Sequence, residues 1–272
     1  MTAPSMPLVR RLHRLLGKRD HPGSLHVLPA IRSAELDNER DVYVYLPPDY
    51  DHEVRRYPVV YMHDGQNLFD TGTSFAGSWH VENAVNTAAR LDLPAIVVGV
   101  PNAGAERILE YSPFADARHG IGWGDRYLGF LAETLKPMID ARFRTLRGRD
   151  DTGIAGSSMG GLISLYAGFK RSDVFGFAGV LSPSLWFANA SIFPVIEEAL
   201  ASDQPRPRIY LDVGCYEGQS TLANARRMRN LLIEHGYQYG VDLRWVEDPG
   251  GTHHEATWAR RFRKALPALL TA

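Results

Sequence analysis

Short apolar runs alternate along the chain with longer amphipathic stretches. The apolar runs occupy 25–31, 41–46, 57–62, 95–101, 152–157, 176–182, 207–213 and 241–246. Their lengths suit strands better than helices. Apolar residues recur at helical spacing over 79–90, 124–140, 159–170, 190–201, 219–235 and 255–270. The polar turn Asp37-Asn38-Glu39-Arg40 separates the first two runs, which predicts an N-terminal antiparallel hairpin. Beyond it, strands alternate with helices. That order predicts a mostly parallel sheet of about eight strands with helices on both faces, because parallel neighbours need crossover connections. Pro47-Pro48 closes the second strand, and Gly236 follows a helix whose last turn holds His235.

A hairpin followed by strand–helix units is the layout of an α/β-hydrolase, here expected as one domain over 25–272. Residues 1–24 stand apart as a basic extension. Arg10, Arg11, Arg14, Lys18 and Arg19 accompany Leu8, Leu12, Leu15 and Leu16 at helical spacing, which suggests a short amphipathic helix docked on the domain. The apolar runs in this segment are too short for a secretory signal. No window approaches the roughly 18 apolar residues of a membrane span, so a cytoplasmic location is expected.

Composition narrows the function. The 272 residues are 44% hydrophobic and 22% charged, which excludes a disordered chain. Thirty basic against 31 acidic residues give a net charge of −1, with no global field to attract nucleic acid or anionic lipid. The one cysteine, Cys215, excludes an internal disulfide framework and a cysteine-based metal cage.

The sharpest chemical signal is Gly156-Ser157-Ser158-Met159-Gly160-Gly161, which follows a predicted strand and opens a predicted helix. It fits Gly-x-Ser-x-Gly with Ser158 as nucleophile. A strand-to-helix turn this tight has no room for side chains at the flanking positions, and it leaves the serine oxygen exposed at the carboxyl end of the sheet. The Met159 N–H, near a helix N-terminus, would face a developing oxyanion. A serine hydroxyl needs an imidazole to accept its proton. In this layout the base follows the last strand, where His253 and His254 lie. His253, directly after the flexible Gly250-Gly251 turn, is the candidate base; His254 is then a helix-start or pocket-wall residue. The orienting acid should follow the 207–213 strand. Glu217, past the strand end, is favoured over Asp212, which sits inside the apolar run.

The loop His63-Asp64-Gly65-Gln66-Asn67 follows the third run, and the Gln66 amide is the candidate second oxyanion donor. Asp64 and Asn67 are expected to hold that loop in shape. Substrate-binding candidates are Trp186, Phe187, Tyr111 and Arg107; Arg107 either binds a polar substrate group or pairs with Glu110. Trp79 is a further aromatic candidate for the pocket.

Tyr61-Met62-His63-Asp64-Gly65-Gln66-Asn67-Leu68-Phe69, Glu110-Tyr111-Ser112-Pro113, Gly156–Gly161, Ser182-Pro183-Ser184-Leu185-Trp186, and His253 with Trp258 together resemble the putative esterase family. That family includes esterase D, enterochelin-type siderophore esterases, and feruloyl and acetylxylan esterases. The resemblance spans about 25–270 and implies an α/β-hydrolase fold. It also implies hydrolysis of small carboxylic esters through an acyl-enzyme, without metal or organic cofactor, and carries the acid position to Glu217. Where members often have Asn after the histidine, this chain has His254. The connection from the 176–182 strand to the 190–201 helix is too short for a large cap, so an open pocket is expected. The sequence leaves room for an acyltransferase with the same residues, for a non-catalytic binding module, and for a homo-oligomer.

Overall fold

The computed structural model describes residues 21–69, 72, 74 and 77–271; the helix predicted from Leu8, Leu12, Leu15 and Leu16 lies outside the described residues. Eight strands form one sheet: β1 (Ser24–Ser33), β2 (Asn38–Leu46), β3 (Val59–His63), β4 (Ile96–Val100), β5 (Thr152–Ser157), β6 (Phe177–Leu181), β7 (Arg208–Gly214) and β8 (Leu243–Asp248). Their order is β1-β2-β4-β3-β5-β6-β7-β8. The pairs β1–β2 and β2–β4 are antiparallel, and every later pair is parallel. The segments leaving β3, β5, β7 and β8 therefore emerge along one edge of the sheet, where the candidate residues cluster.

Period-two alternation divides the core. In β3, Val59 and Tyr61 point to one face while Val60 and Met62 point to the other. On the first face lie the helices α2 (124–142), α3 (Met159–Lys170), α4 (Ile192–Leu200) and α5 (Gln219–Glu234), through residues such as Phe130, Leu162, Ile196 and Met228. On the second, α1 (Val81–Arg90) and α6 (Glu255–Leu270) pack through Val81, Val85, Phe262 and Leu266. The central strands are buried over their whole length, which explains their continuous apolar composition.

The hairpin turn differs from the sequence expectation. It occupies 34–37, with Asp37 at φ 53°, and Asn38–Arg40 already belong to β2. The reason is a buried ion pair. Arg40 turns inward and donates to both carboxylate oxygens of Glu110, at 3.0 and 2.7 Å, and to Pro101 O at 2.9 Å. Asn38 donates to the same carboxylate at 3.1 Å. This cluster fastens the hairpin to the segment after β4, and it is Glu110's partner in place of Arg107.

Removing one member of such a pair strands the other charge away from water. Glu110→Ala should therefore cost about 3–5 kcal/mol of stability, read as a lowered denaturant midpoint. A loss under about 1 kcal/mol would mean that the pair contributes nothing beyond an exposed one.

Candidate active site

Ser158 sits at the junction of β5 and α3 with φ 57° and ψ −121°. A side-chain-bearing residue there is strained by about 1–3 kcal/mol, and only a tightly determined turn holds it. Its N–H donates to Leu181 O at 3.1 Å, and its carbonyl accepts from Leu162 N–H at 3.0 Å and from Ser184 N–H at 3.0 Å. The neighbouring glycines are required by contact. A Cβ on Gly156 would lie 2.8 Å from the His63 ring, and one on Gly161 would lie 2.8 Å from Leu181 O.

Three side chains predicted in separate parts of the chain meet at this turn. His253 Nε2 is 3.0 Å from Ser158 Oγ, and His253 Nδ1 is 3.0 Å from Glu217 Oε2. The loops carrying them are tied together: Cys215 N–H donates to Asp248 O and Tyr216 N–H to Gly251 O, both at 2.9 Å. Gly214 packs so closely on Gly251 that a Cβ there would come within 2.5 Å of its backbone. The His253 ring stands edge-on to Trp258, 4.8 Å between centroids. His254 caps α6, its Nδ1 accepting from Ala256 N–H at 3.3 Å.

The Glu217 carboxylate is fully buried and held at both oxygens. Oε1 accepts from Ser182 Oγ at 2.6 Å, Gly214 N–H at 2.9 Å and Arg261 Nη2 at 3.0 Å. Burial works to raise its pKa. The hydrogen bonds from His253 and Ser182, the charge of Arg261 and the Gly214 N–H outweigh burial and keep it below the ordinary carboxylate value. Asp212, the alternative acid, lies elsewhere in the network: it accepts from Arg261 Nη1 at 2.9 Å and from Ser182 N–H at 3.2 Å. Burial pushes its pKa up to about 7, against the attraction of Arg261.

Arg261 carries no sequence-based expectation, and Ser182 and Ser184 enter the sequence reading only within the motif Ser182-Pro183-Ser184-Leu185-Trp186, without a role. Ser182 Oγ accepts from Trp258 Nε1 at 3.0 Å and from Arg261 Nη2 at 2.6 Å while donating to Glu217. Ser184 Oγ lies 3.2 Å from Ser158 Oγ. Arg261 had a legible sign: it falls three positions after Trp258 and one before Phe262, on the apolar face of α6.

Across the site, the turn Gly65–Asn67 follows β3. Gly65 presses against β4, where a Cβ would meet the backbone of Gly99 at 2.6 Å. Gln66 Oε1 accepts from Asn102 N–H at 3.2 Å. Asp64 is clamped by Arg107 at 2.6 and 2.8 Å and by Asn102 Nδ2 at 2.6 Å. The Met159 N–H, at the first position of α3, has no acceptor within its helix. Tyr111 is buried; its hydroxyl accepts from Asp64 N–H at 3.0 Å, so it supports this loop from beneath. Phe187 is buried with its ring 5.7 Å from that of His119, whereas Trp186 is 53% exposed. Trp79 is buried against Trp258 and Phe262.

His63 lies behind the serine turn, fully enclosed, with Nδ1 2.9 Å from the Tyr127 hydroxyl. Burial lowers its pKa to about 3, despite the nearby Asp64 carboxylate. An unfolded chain binds a proton at this histidine below about pH 6.5 and the folded chain does not, so stability falls as pH drops from there toward 3. His63→Gln should flatten that part of the stability–pH curve in denaturant titrations. An unchanged slope would mean that His63 is protonated in the folded state.

A family described as "Putative esterase" matches residues 33–269. The chain is 27% identical over 240 residues to "Uncharacterized protein YbbA" of Bacillus subtilis, covering 82% of this chain and 89% of that one. It is 29% identical over 170 residues to a siderophore triacetylfusarinine C esterase of Aspergillus fumigatus, covering 59% of this chain and 56% of that protein. The crystal structure of the BES protein from Bacillus cereus superposes with a TM-score of 0.73 at 22% identity over the full length of both chains. That likeness establishes the α/β fold. Among the described residues, no helix is long and apolar enough to cross a membrane.

Proposed function

Because the chain belongs to the putative esterase family, we propose that it is a serine carboxylesterase that works through an acyl-enzyme with Ser158, His253 and Glu217. The observation that carries this reading is the continuous relay from Ser158 Oγ to His253 Nε2 and from His253 Nδ1 to Glu217, with 3.0 Å at each step. Ser158 attacks the ester carbonyl as His253 accepts its proton. His253 then protonates the departing alcohol, and water repeats the sequence to release the acid. Glu217 holds the ring with Nδ1 protonated and stabilises the imidazolium. The N–H groups of Met159 and Gln66 receive the oxyanion, each donor contributing about 3 kcal/mol in comparable hydrolases. Of the substrate-binding candidates, Trp186 is exposed to a ligand, Phe187 is buried beside it, and Tyr111 and Arg107 act through Asp64 on the loop that carries Gln66.

The substrate is proposed as a small-molecule ester reached from solvent. Ten residues separate β6 from α4, which leaves no room there for a covering domain. The exposed Trp186 offers an aromatic surface to a flat acyl group. A cytoplasmic location fits the same reading.

Two tests follow. Intact mass after fluorophosphonate treatment should show one adduct on the native protein and none on Ser158→Ala, whose ester turnover should fall by at least about a thousand-fold. An unmodified native protein would replace the esterase reading with a binding module. Glu217→Gln should lower kcat by roughly 10³–10⁴-fold because the imidazole loses its fixed tautomer. Asp212→Asn should act on stability first; a larger loss of kcat from it than from Glu217→Gln would reverse the assignment of the acid.

A further inference from the structure

Counting protons around Ser158 gives its second serine neighbour a role. Glu217 Oε1 already accepts from two groups that can only donate, Gly214 N–H and Arg261, and the carboxylate is ionised at neutral pH. Its other oxygen faces His253 Nδ1 at 3.0 Å, so that nitrogen carries the imidazole proton. In the neutral ring that can serve as a base, His253 Nε2 is then an acceptor, and Ser158 spends its only hydroxyl proton on it. The 3.2 Å contact between Ser158 Oγ and Ser184 Oγ must therefore run the other way, with Ser184 donating. Ser184 is 3% exposed, and its N–H is fixed to the Ser158 carbonyl, so the two serines move together.

Resting on the esterase reading above, we propose that Ser184 is a further catalytic residue, a fixed hydrogen-bond donor to the nucleophile oxygen that acts chiefly when Ser158 leaves the acyl-enzyme. In that step water attacks the acyl carbon while His253 takes its proton. The tetrahedral intermediate collapses, the bond from carbon to Ser158 Oγ breaks, and its electron pair returns to Oγ. His253 then gives the proton back to that oxygen. Negative charge develops on Oγ during the collapse, and the Ser184 hydroxyl meets it without reorganisation. Acylation by an ester with a good leaving group, such as a nitrophenol, has less need of this donor, because attack is early and the departing phenolate needs no help. The segment 182–184 thus holds both ends of the relay: Ser182 donates to Glu217 and Ser184 to Ser158.

The test is pre-steady-state hydrolysis of 4-nitrophenyl acetate by native enzyme, Ser184→Ala and Ser184→Cys, with intact mass taken during turnover. In Ser184→Ala the burst of nitrophenol should persist while kcat falls about tenfold or more. KM should fall with it, leaving kcat/KM near native, and acetylated protein should accumulate. Cysteine, a weak donor of similar size, should give an intermediate kcat. Native kcat in Ser184→Ala would overturn the proposal. So would an equal loss of kcat and kcat/KM without acetylated protein, which would mark a purely structural role. Failure of the native protein to form any adduct at Ser158 would instead strike the esterase reading itself, so the two failures are distinguishable.

Discussion

The backbone of Ser158 is the constraint to which the surrounding structure answers. A side-chain-bearing residue at φ 57° and ψ −121° is held only where its neighbours leave no alternative. Those neighbours come from three strands. Leu181 and Ser184 bind its N–H and carbonyl from the end of β6, Gly156 and Gly161 remove the atoms that would collide, and His63 closes the space behind from β3. Each requirement limits the next. His63 can lie against Gly156 only because it is enclosed and neutral, and that depends on an environment in which an imidazolium cannot be solvated.

Charge is arranged around this turn in two separate knots. Glu217, Asp212 and Arg261 form one, with Ser182 at its centre; Asp64 and Arg107 form the other on the opposite side of Ser158. In each knot burial alone would neutralise the carboxylates, and a guanidinium with fixed donors opposes it. The balance differs from site to site. Glu217 has enough donors to stay ionised below the usual range, whereas burial prevails at Asp212.

The sequence was most informative where backbone geometry forces residue identity. Glycines flanking a serine, strands of six or seven apolar residues, and a histidine after the last strand are local consequences of local shape, and they located Ser158, His253 and Glu217 in one place. It was least informative where a polar residue acts through a distant partner. Arg40 reads as a turn residue until Glu110, 70 positions away, is seen to receive it. Arg261 and Ser182 lie 79 positions apart and carry no spacing signature. Aromatic residues misled in another way. Tyr111 and Phe187 are near the site, as their positions suggested, but their rings are buried, because composition says nothing about which side of a loop faces solvent.

The strand order has a consequence for how such a protein can diversify. β5 leads into Ser158 near the middle of the sheet; β7 and β8, on one side, lead into Glu217 and His253, and β3, on the other, leads into the Gly65–Asn67 turn. In the proposed mechanism, movement of the proton and stabilisation of the oxyanion are thus assigned to different flanks. The segment from 102 to 122 issues from β4 and contributes Arg107 to the oxyanion side, while its outer part reaches Phe187 through His119. That outer part belongs to neither flank. On that mechanism, insertions and substitutions there would leave Ser158, His253 and Glu217 in place while changing the surface beside Phe187, so the inheritance of a reaction would be separable from the inheritance of a substrate.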